Sequence, residues 1–536
     1  MTRTKSIRQV MSWGRKVLLF YLFTLLPLNH AVAQNPSWAK KAANAVFTLK
    51  TFDTNGQLLA SANGFYISEN GEAVSSFVPF KNAQRAVVID NQGKEWPVES
   101  IIGANDMYDV AKFQVSVKKP TALTVAQTAA TTGTTLWMLP YAVKKVPTCE
   151  QGTITQAEQF QETYTYYTLQ MKADDQYIGC PVLNEAGEVI GMLQPTTGGH
   201  EQSTYAVCAN FVADMKATGL SFNNMALRST QIAKALPNSY EDAVLSLYVS
   251  ASFMNADEYK DFINRFIAKF PNETDGYVYR ARMSAAEGNY DSADADMKQA
   301  IKVAEKKDDA HYQYAQMMFQ KAITPDDQPY EAWNLEHALQ ESKEAYAANP
   351  MSVYRQQQAQ ILYAQQKYDE ACDIYLELTK SDLQTAEMYY AASQCKVQTN
   401  DKKAAVLLLD SAVNQFTRPY IKTAAPYLRA RAQLSMEIRR FQQAINDMND
   451  LVALVPGNPE LWAEKASYEL RVNLIDQALE SATECLRLDP EGSDGYLMTG
   501  IAQCQKGNKE EGMKNLQKAK ELGNDQAQTF IEKFSK

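Results

Sequence analysis

The first part of the chain contains short runs in which apolar and polar residues alternate, which is the two-residue period of a half-buried strand. Turn signals separate the runs: Asn55-Gly56 and Asn70-Gly71 are two-residue turns, and residues 90–93 form a longer one. Short strands at regular spacing are typical of an all-β barrel or sandwich, which we predict for residues 36–220. The strand-like runs include residues 45–50, 86–89, 110–115 and 164–170.

From about residue 239 the period becomes that of amphipathic helices of about a dozen residues, joined by tight turns. Pro456 and Pro490 are 34 residues apart, and bulky and small residues occupy fixed places between them: Trp462, Ala466, Ala478 and Cys485. Small residues let two helices approach closely, an aromatic fills the gap to the next hairpin, and proline stops a helix. This pattern resembles the tetratricopeptide repeat (TPR), which implies an all-α solenoid of about eight units over residues 239–524.

Two shorter segments complete the predicted domain organisation after residue 220. Residues 221–238 carry neither pattern and are predicted to link the two domains. Residues 525–536 are predicted to form a helix that caps the solenoid, because a terminal repeat would otherwise expose its core face.

Residues 1–33 have the composition of a secretory signal peptide. Five basic residues accompany the apolar run 17–28, and Ala31-Val32-Ala33 forms a small-x-small cleavage site. We expect cleavage after Ala33 and export to a bacterial periplasm, with the cell surface or the medium as the second choice; an uncleaved anchor is the alternative. Loss of the five basic residues would change the formal net charge from −9 to −14, which argues against nucleic acid or an anionic membrane as the partner. No later stretch is apolar and long enough to span a bilayer.

The seven cysteines form no C-x-x-C pair, so neither a zinc site nor another metal site is predicted, and no cofactor is expected. Four of them lie in the helical half and are predicted to be small buried residues. Cys149, Cys180 and Cys208 lie in the first domain, where one disulfide among the three is an open alternative.

Four motifs in the first domain resemble the trypsin-like serine proteases, in particular their HtrA-like branch. Residues 176–184 read Q-Y-I-G-C-P-V-L-N where that branch reads G-N-S-G-G-P-L-L-N, which places Ile178 at the nucleophile. Residues 74–78, V-S-S-F-V, resemble the histidine strand and place Val78 at the histidine; a shift of one residue would place Phe77 there. Residues 101–111 resemble the segment of the catalytic aspartate and place Asp109 on it. The fourth motif is the hairpin at 64–71, and the strand at 205–210 resembles the border of the specificity pocket.

The resemblance implies a double β-barrel whose hydrolysis needs a serine, a histidine and an aspartate together. Here only Asp109 remains, and Gln176 replaces the glycine that helps to aim the oxyanion-hole N–H groups. We therefore predict a pseudoprotease with no catalytic residues. The alternative is an active peptidase with an unusual site, in which Cys180 attacks and His200 acts as its base.

The repeats imply a groove, lined by the first helix of each hairpin, that binds a protein or peptide partner in the cell envelope. The degenerate protease domain would then bind a peptide or stabilise the assembly, and the whole chain would act as a scaffold or adaptor. In the repeat register the predicted groove residues are Arg282, Gln356, Gln360, Tyr390, Gln394, Arg429, Gln433 and Arg471.

Overall fold

The computed structural model describes residues 35–195, 204–325 and 328–536. The chain divides into two compact units, Met1–Phe266 and Ile267–Lys536. The predicted signal peptide and His200 lie outside the described residues.

The described part of the first unit contains two closed, antiparallel, six-stranded barrels. The strands of the first barrel are β1 (Val46–Phe52), β2 (Leu58–Tyr66), β3 (Glu72–Ser75), β4 (Arg85–Ile89), β5 (Glu95–Asn105) and β6 (Val110–Val115). Those of the second are β7 (Thr135–Met138), β8 (Glu150–Phe160), β9 (Tyr164–Gln170), β10 (Pro181–Leu183), β11 (Val189–Gln194) and β12 (Thr204–Cys208). The hydrogen-bonded order is β1-β2-β3-β6-β5-β4 in the first barrel and β10-β11-β12-β9-β8-β7 in the second. The predicted double barrel is confirmed.

Aromatic side chains fill the first barrel. Phe113 packs against Phe47 and Phe80, with ring centroids 6.2 and 5.1 Å apart. Gly64 is required beside this cluster, since a Cβ there would lie 2.5 Å from both the Phe47 ring and the Val74 carbonyl oxygen. Closing a sheet into a barrel removes its free edges, so each of the six strands pairs with a neighbour on both sides.

Residues 221–238, predicted as a linker, are ordered against the first barrel. Ile101 of β5 forms two main-chain hydrogen bonds with this segment: its N–H donates to the Ala233 carbonyl, and its carbonyl accepts from the Ala235 N–H. Leu227 and Ile232 are buried in the core of the same barrel. The segment therefore extends the barrel domain beyond the predicted boundary, because its apolar residues cover the barrel's surface.

Three short helices belong to the barrel domain: α1 (Ala39–Ala42), α2 (Ala209–Ala213) and α3 (Met225–Arg228). Eight antiparallel helix pairs follow along the described residues, and a last helix, α20 (Ala527–Ser535), ends the chain. The pairs are α4 (Tyr240–Ser250) with α5 (Ala256–Lys269), α6 (Asp275–Ala286) with α7 (Tyr290–Val303), α8 (Asp308–Ile323) with α9 (Leu335–Ala348), α10 (Ser352–Ala364) with α11 (Tyr368–Leu378), α12 (Ala386–Gln398) with α13 (Lys402–Val413), α14 (Ala425–Glu437) with α15 (Phe441–Leu454), α16 (Pro459–Arg471) with α17 (Ile475–Leu488) and α18 (Ser493–Lys506) with α19 (Lys509–Glu521).

A residue in the left-handed conformation recurs in the turn between the two helices of a pair. Such a residue ends a helix by turning the chain away while its N–H caps the last turn. Glycine provides it at positions 288 and 507, whereas Gln366, Asn400, Arg439 and Asn473 adopt it with φ values of 62° to 64°. Alanines at the crossing points are fully buried, as the repeat pattern predicted: Ala281, Ala293, Ala444 and Ala478 are examples. None of the helices in the described part of the chain has the length and apolar character that crossing a bilayer requires.

Candidate functional site

Asp109 lies in the turn between β5 and β6 with a left-handed φ of 45°, and its side chain is buried, with 8% of the residue exposed. Its Oδ1 accepts hydrogen bonds from the backbone N–H groups of Phe77 (2.8 Å) and Val78 (2.7 Å). Its Oδ2 accepts a 2.5 Å hydrogen bond from the Ser76 hydroxyl. Three donors from one short segment therefore hold this carboxylate.

The pKa of Asp109 is raised above its ordinary value. Burial is the largest cause, and it outweighs the hydrogen bonds from Ser76, Val78 and Phe77 and the more distant charge of Lys81, all of which lower the pKa. A carboxylate that orients a catalytic histidine offers an oxygen to the imidazole Nδ1–H. Here Ser76 occupies the second oxygen instead.

Val78 and Phe77 face in different directions. Phe77 is fully buried in the core of the first barrel, whereas Val78 is 54% exposed at the start of the 3-10 turn Val78–Phe80. Only the residue at 78 thus has its backbone on the Asp109 carboxylate and its side chain at the surface. Both backbone N–H groups donate to Asp109, so the assignment of Val78 to the histidine position stays a prediction.

The loop that carries Ile178 forms the 3-10 turn Asp175–Tyr177, capped by the side chain of Asp174. The Gln176 N–H donates to Asp174 Oδ1 at 3.2 Å, and the Ile178 N–H donates to the Asp175 carbonyl at 3.3 Å. Both N–H groups are therefore used inside the loop, so neither is directed at an external oxygen.

Asn63 of β2 ties this loop to the first barrel. Its backbone N–H donates to the Ile178 carbonyl at 3.1 Å, and its Nδ2 donates to the Gln176 carbonyl at 2.7 Å. Gly179 lies directly on the Asn63 backbone with a φ of 85°, and a Cβ at that position would clash with the Asn63 carbonyl oxygen. The loop is held closed over β2 by these contacts.

A chain of hydrogen bonds links the Ile178 loop to the segment that carries Val78. Val78 and Asp109 are in direct contact, as described above. Ile178 joins them through Asn63, whose carbonyl accepts a 2.6 Å hydrogen bond from the Ser75 hydroxyl, one residue before Ser76. Neither Asn63 nor Ser76 was singled out in the sequence, although Ser76 lies inside the motif at 74–78 and Asn63 directly precedes the hairpin motif at 64–71.

Cys149, Cys180 and Cys208 are buried free thiols in this structure. Burial raises the pKa of the Cys180 thiol to about 12, although a backbone hydrogen bond at Tyr141 lowers it. The nucleophilic form of cysteine is the thiolate, so a thiol with this pKa is unreactive at neutral pH. His200, its predicted base, lies outside the described residues.

All eight predicted groove residues lie on the first helices of their pairs. Arg282 is on α6, Gln356 and Gln360 on α10, Tyr390 and Gln394 on α12, Arg429 and Gln433 on α14, and Arg471 on α16.

Three of these residues contact the next first helix along the array. Arg282 donates to Gln313 of α8 at 2.6 Å, and the Tyr390 ring lies 5.6 Å from that of Tyr427 of α14. Arg429 forms an ion pair with Glu464 of α16 at 2.9 Å. Side chains thus bridge successive first helices, which form one layer of the array.

Comparison with known proteins finds two family models that match separate parts of the chain. Residues 62–192 match the family model of the trypsin-like peptidase domain, and residues 357–420 match that of the tetratricopeptide repeat. This chain contains a trypsin-like peptidase domain and tetratricopeptide repeats. Both resemblances indicated by the sequence are confirmed.

The individual similarities are partial. The small glutamine-rich tetratricopeptide repeat-containing protein 2 of Saccharomyces cerevisiae is 26% identical over 106 residues, which are 20% of this chain and 31% of that protein. The active form of the Rv3671c protease from M. tuberculosis is 17% identical with a TM-score of 0.31, covering 39% of this chain and 90% of that one. The HtrA-type protease AlgW with a tripeptide is 19% identical with a TM-score of 0.29, covering 33% and 62%.

Possible metal-binding groups were sought among the described side chains. Within residues 35–195, 204–325 and 328–536, no three His, Cys, Asp or Glu side chains are placed to hold one ion.

Proposed function

We propose that this chain is an exported, non-catalytic scaffold. Its trypsin-like domain does not hydrolyse peptide bonds, and its TPR array binds a protein partner in the cell envelope. The main observation in favour is the contact between the Val78 backbone and the Asp109 carboxylate. It supports valine as the residue at the base position, and a valine side chain cannot take a proton from a nucleophile.

The loop around Ile178 supports the same proposal. Isoleucine has no attacking atom, and the N–H groups at 176 and 178 donate to Asp174 and Asp175. Preorganised N–H donors aimed at a developing oxyanion contribute about 10²–10³-fold to such reactions. A closed loop fixed by Asn63 lacks that contribution. The difference from an active protease therefore involves the loop backbone as well as the side chains at positions 78 and 178.

Hydrolysis is tested with the mature chain, residues 34–536, on labelled casein and on a peptide library, with trypsin as the positive control. We expect no product above the buffer blank. Cleavage that disappears in Cys180→Ala or in His200→Ala would contradict the proposal and establish the unusual peptidase instead.

Binding by the array is tested with cross-linking pull-downs from envelope extract. Gln360→Arg/Gln394→Arg changes two first helices, whereas the control Gln442→Arg changes an exposed residue of the second helix α15. We expect the wild type and the control to retain a partner that the double variant loses. The same proteins captured in all three would count against a partner site on the first helices.

A further inference from the structure

A cavity of about 380 Å³ opens between the C-terminal halves of two successive first helices, α6 and α8. Its apolar lining consists of Ala285, Ala286, Tyr290, Met317 and Trp333, and its polar lining of Arg282, Gln316, Gln320, Lys321 and Thr324. The volume is at the small end of the range of about 300–1,000 Å³ for ligand pockets, so it suits one large side chain rather than a whole cofactor.

The aromatic side chains that line the cavity, Tyr290 and Trp333, are fixed by contacts with residues outside the lining. Tyr290 packs against Trp333 edge-on at 5.6 Å and stacks on Tyr330 at 5.5 Å. The indole Nε1–H of Trp333 donates to the buried carboxylate of Asp294, which also accepts from Tyr314. A wall that is already fixed loses little entropy when a ligand binds, which favours affinity.

Asp294 is kept ionised by its surroundings. Burial would raise the pKa of this carboxyl, but hydrogen bonds from Lys298, Tyr314 and Trp333 outweigh burial and lower the pKa. The Lys298 ammonium is 2.7 Å from Asp294 Oδ2. The negative charge that anchors the wall is thus already compensated and does not face an occupant.

The two cations of the cavity are also engaged by this chain. Arg282 donates to Gln313 at 2.6 Å, and Lys321 donates to the Gln328 carbonyl at 2.6 Å while its Nζ lies 4.6 Å from the centre of the Tyr290 ring. An anionic ligand would have to compete with these partners. The remaining attraction comes from apolar and aromatic surface, which selects an uncharged group.

The first helices from α6 to α14, two of which line the cavity, carry little negative charge in their central turns. From α6 to α14, each acidic residue of a first helix lies within two residues of a helix end, at Asp275, Asp308, Asp309, Glu387 and Glu437. Their central turns carry amides instead, including Gln316, Gln356 and Gln360. Amides can pair with the backbone of an extended peptide without requiring charge on it.

We propose that this cavity binds a large apolar side chain, aromatic or aliphatic, from an extended and weakly charged peptide segment of the partner. The proposal rests on the proposed function of the array as a protein-binding surface. It adds the chemical class of the residue that is recognised and the place where it is bound.

The probe is a phage-displayed library of random twelve-residue peptides, selected on the full mature chain. We expect enrichment of one large apolar residue flanked by few charges. The dissociation constant of a selected, labelled peptide is then measured by fluorescence polarisation. Replacement of its apolar residue by aspartate is expected to weaken binding about 10- to 100-fold, the equivalent of losing one buried large side chain.

Filling the cavity provides the matched test on the protein. Ala286→Phe places a ring in the cavity from an exposed position of α6, whereas Ala322→Phe adds the same ring at an exposed position of α8 outside the lining. We expect the first variant to lose about 10- to 100-fold in affinity and the second to bind like the wild type. Arg282→Gln and added salt are expected to change the affinity less than about threefold, since the recognised group is uncharged.

Several results would overturn the inference. Enriched peptides that are acidic, or that lose affinity on Arg282→Gln but not on Ala286→Phe, would show that the site recognises carboxylates. Peptides that depend on Gln360 and Gln394 but not on Ala286 would leave the proposed function intact and remove this cavity from it. If no peptide is selected and oligosaccharides on a glycan array are bound instead, both the proposed protein-binding function of the array and the inference about the cavity are rejected.

Discussion

At the scale of single residues, Asp109 combines full hydrogen bonding with a raised pKa. Its two oxygens accept hydrogen bonds from Ser76, Phe77 and Val78, which lower the pKa, yet burial raises the pKa by more. An unfolded aspartate has a pKa of about 3.9, so the folded protein holds the proton more tightly than the unfolded chain does. Between these two pKa values the folded state binds more protons, and stability falls as the pH rises.

Asp109→Asn tests this sign. Asparagine keeps an acceptor for the two backbone N–H groups but does not titrate, so it should remove the loss of stability on raising the pH from about 4 towards neutral. The measurement is the free energy of unfolding in urea at several pH values for the wild type and the variant. We expect the free energy of unfolding of the variant to increase relative to that of the wild type as the pH rises. A difference between the two that stays constant or decreases with pH would contradict the raised pKa.

The sequence placed Val78 and Asp109 in two motifs whose spacing is fixed by the barrel strands, and in the structure the Val78 N–H donates to the Asp109 carboxylate. It could not show which side chain would satisfy the buried carboxylate, since Ser76 reaches Asp109 across 33 residues of chain. The same holds for Asn63, which contacts the Ile178 loop 115 residues away. Long-range hydrogen bonds of this kind depend on the folded arrangement and leave no local pattern.

At the scale of elements, the pair α14–α15 contains a buried ion pair. Arg431 of α14 donates two hydrogen bonds to Asp447 of α15, at 2.9 and 2.7 Å, and also reaches Asp410 at 3.1 Å. The Asp447 side chain is only 1% exposed. Burial raises the pKa of Asp447 although Arg431 lowers it, so the charged form depends on the guanidinium.

Arg431→Met should destabilise the array by about 3–5 kcal/mol, because it leaves a buried carboxylate without its partner. The matched control is Arg418→Met, which breaks a 2.6 Å ion pair with Asp450, also on α15. The Arg418 side chain is 61% exposed. The control should cost about 0–1 kcal/mol. Thermal and urea unfolding of both variants provide the comparison.

The double variant Arg431→Met/Asp447→Leu separates charge from packing. Apolar replacement of both partners removes the uncompensated charge, so we expect it to recover most of the stability lost in Arg431→Met. Equal losses in the single and double variants would show that packing at residue 431, and not the unpaired carboxylate, determines the cost.

Elements with a strong period were predictable from the sequence, and the connecting segment was not. The helices follow a repeated pattern of small and bulky residues, and that pattern alone indicates their pairing. Residues 221–238 have no period of their own, because they are shaped by the barrel surface: Leu227 and Ile232 are buried against it, and Lys234 forms an isolated bridge to Ile101. Such a segment looks like a linker until its partner surface is known.

At the scale of the whole molecule, the repeat array is stabilised by contacts between neighbouring helix pairs, so the apolar face of a terminal pair must be covered by a capping element. Here α20 covers the apolar face of the pair α18–α19. Ala527 is fully buried, and Phe530, Ile531 and Phe534 pack against the cluster that contains Leu516 and Ala519 of α19. The opposite face of α20 carries polar residues such as Gln528, Glu532 and Lys533.

Termination after Gly523 removes α20 and should expose the apolar face of α19 to solvent. We expect a lower melting temperature of the array, increased binding of the dye ANS and a tendency to aggregate, since an uncapped solenoid end is an exposed apolar patch. Termination after Phe534 is the control, because it removes only two exposed residues and keeps the packed ring. If both truncated chains melt like the full protein, the last helix contributes nothing to the array, and the closing interaction must come from α18 and α19 alone.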